Sequence, residues 1–199
     1  MQFQKKDIKD NILAAARMEF WEKDFGKASI RNIANAAKTS KSNVYNYYHD
    51  KNALFAAVVQ PTLSGIESGF KKLRAQNPET SGETYSITGQ ENVIVKIMKF
   101  VFRHDADLKL LLFRSSGASL SDFKGRVTKL LADILDDWIS HLAPDKDISA
   151  FFICTVAGFY IGVIEQILAD GITREQTAGH FDVFLKFICG GWSVVLTRE

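Results

Sequence analysis

The sequence predicts an all-α protein of about nine helices: a small N-terminal head over residues 1–52 and a larger helical body over 53–199. Three observations predict it. Apolar residues recur every three or four positions along most of the chain, and no stretch keeps the period-two alternation of a strand. The breaks between apolar stripes fall at glycine, proline or capping residues. With 199 residues, 46% of them hydrophobic, the chain can bury a core without disulfides or a structural metal.

The first helix has Ile8, Ile12, Ala16 and Phe20 on one face, and Gly26 is expected to end it. Ser29 can cap a short second helix with Ile30, Ile33, Ala34 and Ala37 on its inner side, and Ser40 can cap a third, Lys41 to Tyr47, anchored by Val44 and Tyr48. A long helix starts near Asp50, carries Leu54, Phe55, Val58, Val59, Leu63, Ile66, Phe70 and Leu73, and is expected to bend at Pro61. Asn77 to Gln90 is polar, with Pro78, Gly82 and Gly89, and reads as an exposed connection. Val93 to Val101 opens the next helix, Leu108 to Leu112 marks a shorter one, and Val127 to Leu142 forms a strong stripe ended by Pro144. One further helix runs from about Asp147 to Asp170, stopped by Gly171. The last opens at Thr173, where Thr173 and Gln176 have capping-box spacing.

Charge is uneven. Residues 1–52 hold ten Lys and Arg against six Asp and Glu, whereas 53–199 hold fifteen against seventeen. A basic head on a mildly acidic body points to a polyanionic partner for the head alone. The most lipid-like run, Ala150 to Ile164, is fifteen residues and ends at Glu165, short of the about 20 a membrane span needs, so no membrane partner is expected. The first ten residues are charged throughout and do not read as a secretory signal, so a cytoplasmic location is expected. Cys154 and Cys189 sit among apolar residues without metal or Cys-x-x-Cys spacing and read as small buried hydrophobes.

Two short helices joined by a tight turn are a helix-turn-helix arrangement. With Val44 and Tyr48 inward, the opposite face shows Lys41, Ser42, Asn43, Tyr45, Asn46 and Tyr47. These are hydrogen-bonding side chains with one cation and no carboxylate, suited to base edges and phosphates. A solvated polar face is the competing reading.

The segment resembles the DNA-binding head of the TetR family of repressors. The likeness spans about Ile8 to Val59 and rests on Ile33-Ala34-x4-Thr39-Ser40-Lys41-Ser42-Asn43-Val44-Tyr45-x-Tyr47-Tyr48-x2-Lys51-x2-Leu54-Phe55. The resemblance implies that Lys41, Ser42, Asn43 and Asn46 face bases and that Tyr45 and Tyr47 meet backbone or thymine methyls. It further implies that Ser29 and Arg31 touch the backbone, that Lys51 holds a phosphate and that Ser40 is among the DNA-binding residues. A lysine beside the free amides of a helix start suits an anion independently of that likeness. Lys5, Lys6 and Lys9 form either a phosphate-binding arm or a solvated end. One departure is Lys38, where the family usually has glycine with left-handed backbone.

For the body, the resemblance implies dimerisation through the last two helices. Gly158 and Gly162, one turn apart, each cost about 1 kcal/mol in a helix relative to alanine, which suits close approach of another helix. Gly190 and Gly191 raise the same question beside Phe184, Ile188, Trp192 and Val195; packing within one subunit is the alternative. The resemblance also implies an effector pocket, with Phe100, His104, Phe113, Trp138 and Phe159 as candidate lining and Glu165 as a partner for a cation. Core packing competes for each of these. An aromatic lining favours an apolar or aromatic effector.

The reading is therefore a DNA-binding regulator, a repressor by the family's habit, acting as a homodimer on a palindromic operator and released by a small molecule. The alternatives are an activator with the same head and a helical scaffold whose helix-turn-helix is vestigial. His49, His104, His141 and His180 are dispersed, and neither a phosphate loop nor a nucleophile turn appears, so no enzyme, metal or cofactor is expected.

Overall fold

The computed structural model describes residues 2–75 and 87–196, which form nine helices and no strand. They are α1 (Gln2–Lys27), α2 (Ile30–Ala36), α3 (Lys41–Tyr47), α4 (Lys51–Ala75), α5 (Ile87–Arg103), α6 (Asp105–Phe113), α7 (Phe123–Leu142), α8 (Ala150–Asp170) and α9 (Arg174–Leu196). The expected connection 77–90 lies mostly outside the described residues, and its last four residues already belong to α5. The side chains of Lys5 and Lys6 also lie outside them.

The chain divides into two compact units: residues 1–66 with 106–123, and 67–105 with 124–199. In the first unit, Ile12, Ala16 and Phe20 of α1 are buried, as their spacing predicts. Phe20 and Phe25 pack edge-on against Phe55 of α4, with ring centroids 5.1 and 5.4 Å away. The break in α1 falls at Asp24 (φ 60°, ψ 163°), two residues before Gly26. That conformation is costly for a residue with a side chain. It is held by an Arg114–Asp24 ion pair at 2.6 Å and by the Phe25 N–H donating to Arg114 O at 2.8 Å. Asp50 accepts from the Ala53 N–H at 2.7 Å and so starts α4, which contains Pro61.

Helix α6 belongs to this first unit through a polar node that sequence reasoning missed. The buried Asp107 pairs with Arg17 of α1 and accepts from Thr62 Oγ1 of α4 at 2.7 Å. Arg17 also donates to Val58 O at 3.0 Å.

In the second unit, Ala132, Leu135 and Ile139 of α7 meet Ile153 and Ala157 of α8, with Trp138, Tyr160 and Trp192 packed around them. Ser149 caps α8 by accepting from the Phe152 N–H at 3.3 Å, and Gly171 ends it in the left-handed conformation (φ 64°). The capping box opening α9 is reciprocal: Thr173 N–H donates to Gln176 Oε1 at 2.9 Å, and Gln176 N–H to Thr173 Oγ1 at 3.4 Å.

The observed α8 corrects two expectations. At 21 residues it is, among the described residues, the one helix long and apolar enough to cross a membrane by length and composition. Glu165 does not end the apolar run because it pairs with Lys124 of α7, and Ile167 and Leu168 are buried beyond it. Cys154, expected inside, is exposed, and Cys189 is half-buried.

Candidate nucleic-acid interface

Helices α2 and α3 are seven residues each, too short to persist without tertiary support. Their contact is made by small and branched side chains: Ile33, Ala34, Ala37, Val44 and Tyr48 are all buried. The turn between them is a Schellman closure, with Thr39 N–H donating to Ala34 O at 2.9 Å and Lys38 N–H to Asn35 O at 3.1 Å. Lys38 takes the left-handed position (φ 52°), as the turn register predicts.

Ser40 caps α3, accepting from the Asn43 N–H at 3.0 Å. Ser29 corrects the corresponding expectation for α2: it occupies the cap position, but its side chain makes no capping bond. The carboxylate of Glu19 holds this helix start in another way, with Oε1 accepting from the Ser29 N–H at 3.0 Å and from Asn32 Nδ2 at 3.1 Å. Nothing in local spacing marks Glu19 for that task, because it lies ten residues upstream across the α1–α2 turn.

Burying Val44 and Tyr48 turns the rest of α3 outward. Lys41, Ser42, Tyr45 and Asn46 are exposed, as are Ser40 and Arg31, while Asn43 and Tyr47 are half-buried. Lys41 Nζ lies 5.8 Å from the Tyr45 ring, one turn away, so cation and aromatic share the same strip. Asn43 Nδ2 donates to Thr39 Oγ1 at 2.8 Å, which ties this amide to the turn.

The half-buried Lys51 donates from Nζ to Phe25 O at 2.7 Å, Ala28 O at 3.2 Å and Gly26 O at 3.3 Å.

The other candidate residues are divided between the two units. Phe113 belongs to the first unit and is exposed, whereas Phe100 and His104, stacked at 4.4 Å, belong to the second. Burial, then Arg103, lowers the pKa of His104. Trp138 packs on the α7–α8 core, and Glu165 pairs with Lys124. Phe159 is exposed and contacts Phe184 and Phe187 of α9 at 5.5 and 6.1 Å.

The expected dimer residues are likewise redistributed. Phe184 packs on Tyr160 of α8, and Trp192 Nε1 donates to Tyr160 Oη at 2.6 Å, so both face their own chain. Ile188 and Val195 are half-buried on the same helix. A Cβ at Gly158 would meet Thr128 of α7 at 3.9 Å, so that glycine faces α7; Gly162, Gly190 and Gly191 open to free space. The outward stripe of α9 is instead Val183, Phe187, Gly190 and Val194, with Val183 69%, Phe187 68% and Val194 77% exposed.

A capped, exposed polar helix held by a tight turn on a small helical platform defines a helix-turn-helix DNA-binding regulator. Residues 12–58 match the family model described as "Bacterial regulatory proteins, tetR family". Two crystal structures of NalD from Pseudomonas aeruginosa, described as the secondary repressor of the MexAB-OprM multidrug efflux pump, share the fold. They align at 15% and 16% identity with TM-scores of 0.63 and 0.61, each over 98% of both chains. A TetR-family regulator from Streptomyces coelicolor A3 aligns at 19% identity over 97% of this chain and 96% of that one, with a TM-score of 0.48. No curated protein matches the chain. The matched family and these neighbours are regulators rather than enzymes.

Proposed function

We propose that the chain is a cytoplasmic repressor that binds a palindromic operator as a homodimer and leaves it when a small molecule binds. Reading is assigned to residues 1–52, and dimerisation and effector binding to 53–199. The observation that carries the reading is the outward strip of α3, with Lys41, Ser42, Tyr45 and Asn46 exposed above a buried Val44. A single seven-residue helix reads too few bases for tight, specific binding. Two such helices, held about 34–36 Å apart, enter successive major grooves of a two-fold site.

The second copy covers apolar residues that α8 and α9 leave open: Phe151 is 81% exposed, and Phe159, Phe187 and Val194 are exposed too. A patch of that kind marks an interaction surface. Covering by a second copy also accounts for the apolar length of α8 without a membrane. Repression as the sign of control follows NalD, which its description calls a repressor. The effector is apolar or aromatic and binds in the second unit near Phe100, His104 and Trp138, whose half-buried rings support that choice. Release follows if the ligand fits only dimers whose reading helices no longer match the groove spacing.

Selection of bound duplexes from a random pool tests the reading. A two-fold symmetric consensus with half-sites one helical turn apart is the expected result. Absence of enrichment overturns it.

A further inference from the structure

We propose that Lys51 is a positioning residue that closes the helix-turn-helix from inside and is not a phosphate ligand; this rests on the DNA-reading role of α3. An ammonium has three protons and no acceptor. All three protons have partners here: Phe25 O at 2.7 Å, Ala28 O at 3.2 Å and Gly26 O at 3.3 Å. The same nitrogen lies 4.6 Å from the centre of the Phe25 ring. These carbonyls close the end of α1 and lead into α2, where unpaired carbonyls and the negative end of the helix dipole favour a cation.

The clip spans both ends of the reading segment. Ala28 precedes α2, Lys51 opens α4, and α2, the turn and α3 lie between them, 23 residues apart in sequence. Its anchor is rigid, because Phe25 is buried against Phe20 and Phe55. The angle of α3 is therefore fixed at its inner face by Val44 and Tyr48, and just past its end by Lys51. Turning the ammonium out to a phosphate would strip three carbonyls of their shared donor and free the end of the segment at the moment of reading.

Two variants separate the roles. Lys51→Met keeps the stem over the Phe25 ring and removes the charge. Lys51→Arg keeps the charge, but its planar fork does not converge on three carbonyls from one point. Affinity is measured across a salt series for a random-sequence duplex and for a duplex selected by the unaltered chain, at a temperature where circular dichroism shows each variant folded. Both variants are expected to keep the salt slope on the random duplex and to lose about tenfold in the ratio of selected to random affinity, on the order of one charge-assisted hydrogen bond.

A phosphate ligand gives the opposite pattern: Lys51→Met lowers the slope by about one and weakens both duplexes alike, while Lys51→Arg binds as the unaltered chain does. That result overturns the proposal. If Lys51→Met does not fold, Lys51→Arg decides alone, since retained discrimination counts against the clip. Failure of the unaltered chain to bind either duplex removes the reading role and this proposal together, whereas a slope change with that binding intact removes only the clip.

Discussion

Lys38 adopts φ 52° at the position that closes the α2–α3 turn, where a side chain costs about 1–2 kcal/mol relative to glycine. The greater freedom of glycine in the unfolded chain offsets part of that relief. Lys38→Gly is expected to raise stability by about 1 kcal/mol in urea melts and to leave operator binding unchanged; a loss of stability would show that the turn does not need its left-handed residue. A second single-residue effect sits at Tyr48, whose ring is buried and whose hydroxyl has no hydrogen-bond partner. An orphaned buried polar group costs about 1–3 kcal/mol, so Tyr48→Phe is expected to be neutral or stabilising in the same melts. Burial first, then Asp10 and Tyr47, raises the phenol's pKa above its ordinary value. Its contribution to stability is thus complete below pH about 10 and lost as pH rises through the folded pKa. The variant should lose less stability than the parent in alkaline melts, and identical alkaline curves would count against the shift. Both positions were legible as backbone and burial, because turn register and apolar spacing are local. The missing partner of the Tyr48 hydroxyl was not legible, since it depends on what α1 brings alongside.

At the scale of elements, the same division between local and distant information decides what could be read. Ser40 and the Thr173–Gln176 box were visible because a cap and its amide lie within three residues. Ser29 has the same local signature yet makes no capping bond, and its own N–H is held by Glu19 from another helix. Gly26 looked like the end of α1, but an ion pair to Arg114, 90 residues away, holds Asp24 in the break instead. Helix α6 shows the largest gap: its apolar spacing predicted a helix, while its membership of the first unit depends on Asp107, which meets Arg17 across 90 residues. Asp107 is buried and Arg17 keeps 40% of its side chain in solvent, so the pair lies between the exposed and buried limits. Asp107→Ala leaves Arg17 and Thr62 without their acceptor and is expected to cost about 2–3 kcal/mol, below the 3–5 of a fully buried pair. A change under about 0.5 kcal/mol in a urea melt, the size of an ordinary surface substitution, would mean that apolar contacts alone hold α6 in place.

For the whole molecule, assembly turns on which sides of α8 and α9 are free, and the sequence concealed this for a physical reason. Helix α8 is apolar around most of its circumference, so its spacing defines no seam, and α9 carries apolar residues on both faces. Glycines were the remaining clue, and Gly158 proved to face Thr128 of its own chain. Exposure separates the two sides: Phe184 and Trp192 contact α8, while Val183, Phe187 and Val194 are exposed. In the proposed dimer, Phe187→Glu puts one carboxylate from each copy against apolar surface, and burying an unpaired charge there is strongly unfavourable. Sedimentation is expected to show dimerisation weakened at least about a hundredfold, on the order of 2.7 kcal/mol. Operator affinity should fall with it, because one α3 alone reads half a site. Phe187→Leu keeps the apolar surface and should remain dimeric. Trp192→Phe serves as the contrast, since it removes an internal hydrogen bond to Tyr160 and should lower stability by about 1 kcal/mol without changing the oligomer. A Phe187→Glu chain that stays dimeric, or a Trp192→Phe chain that dissociates while folded, would transfer the interface to the face that Trp192 occupies.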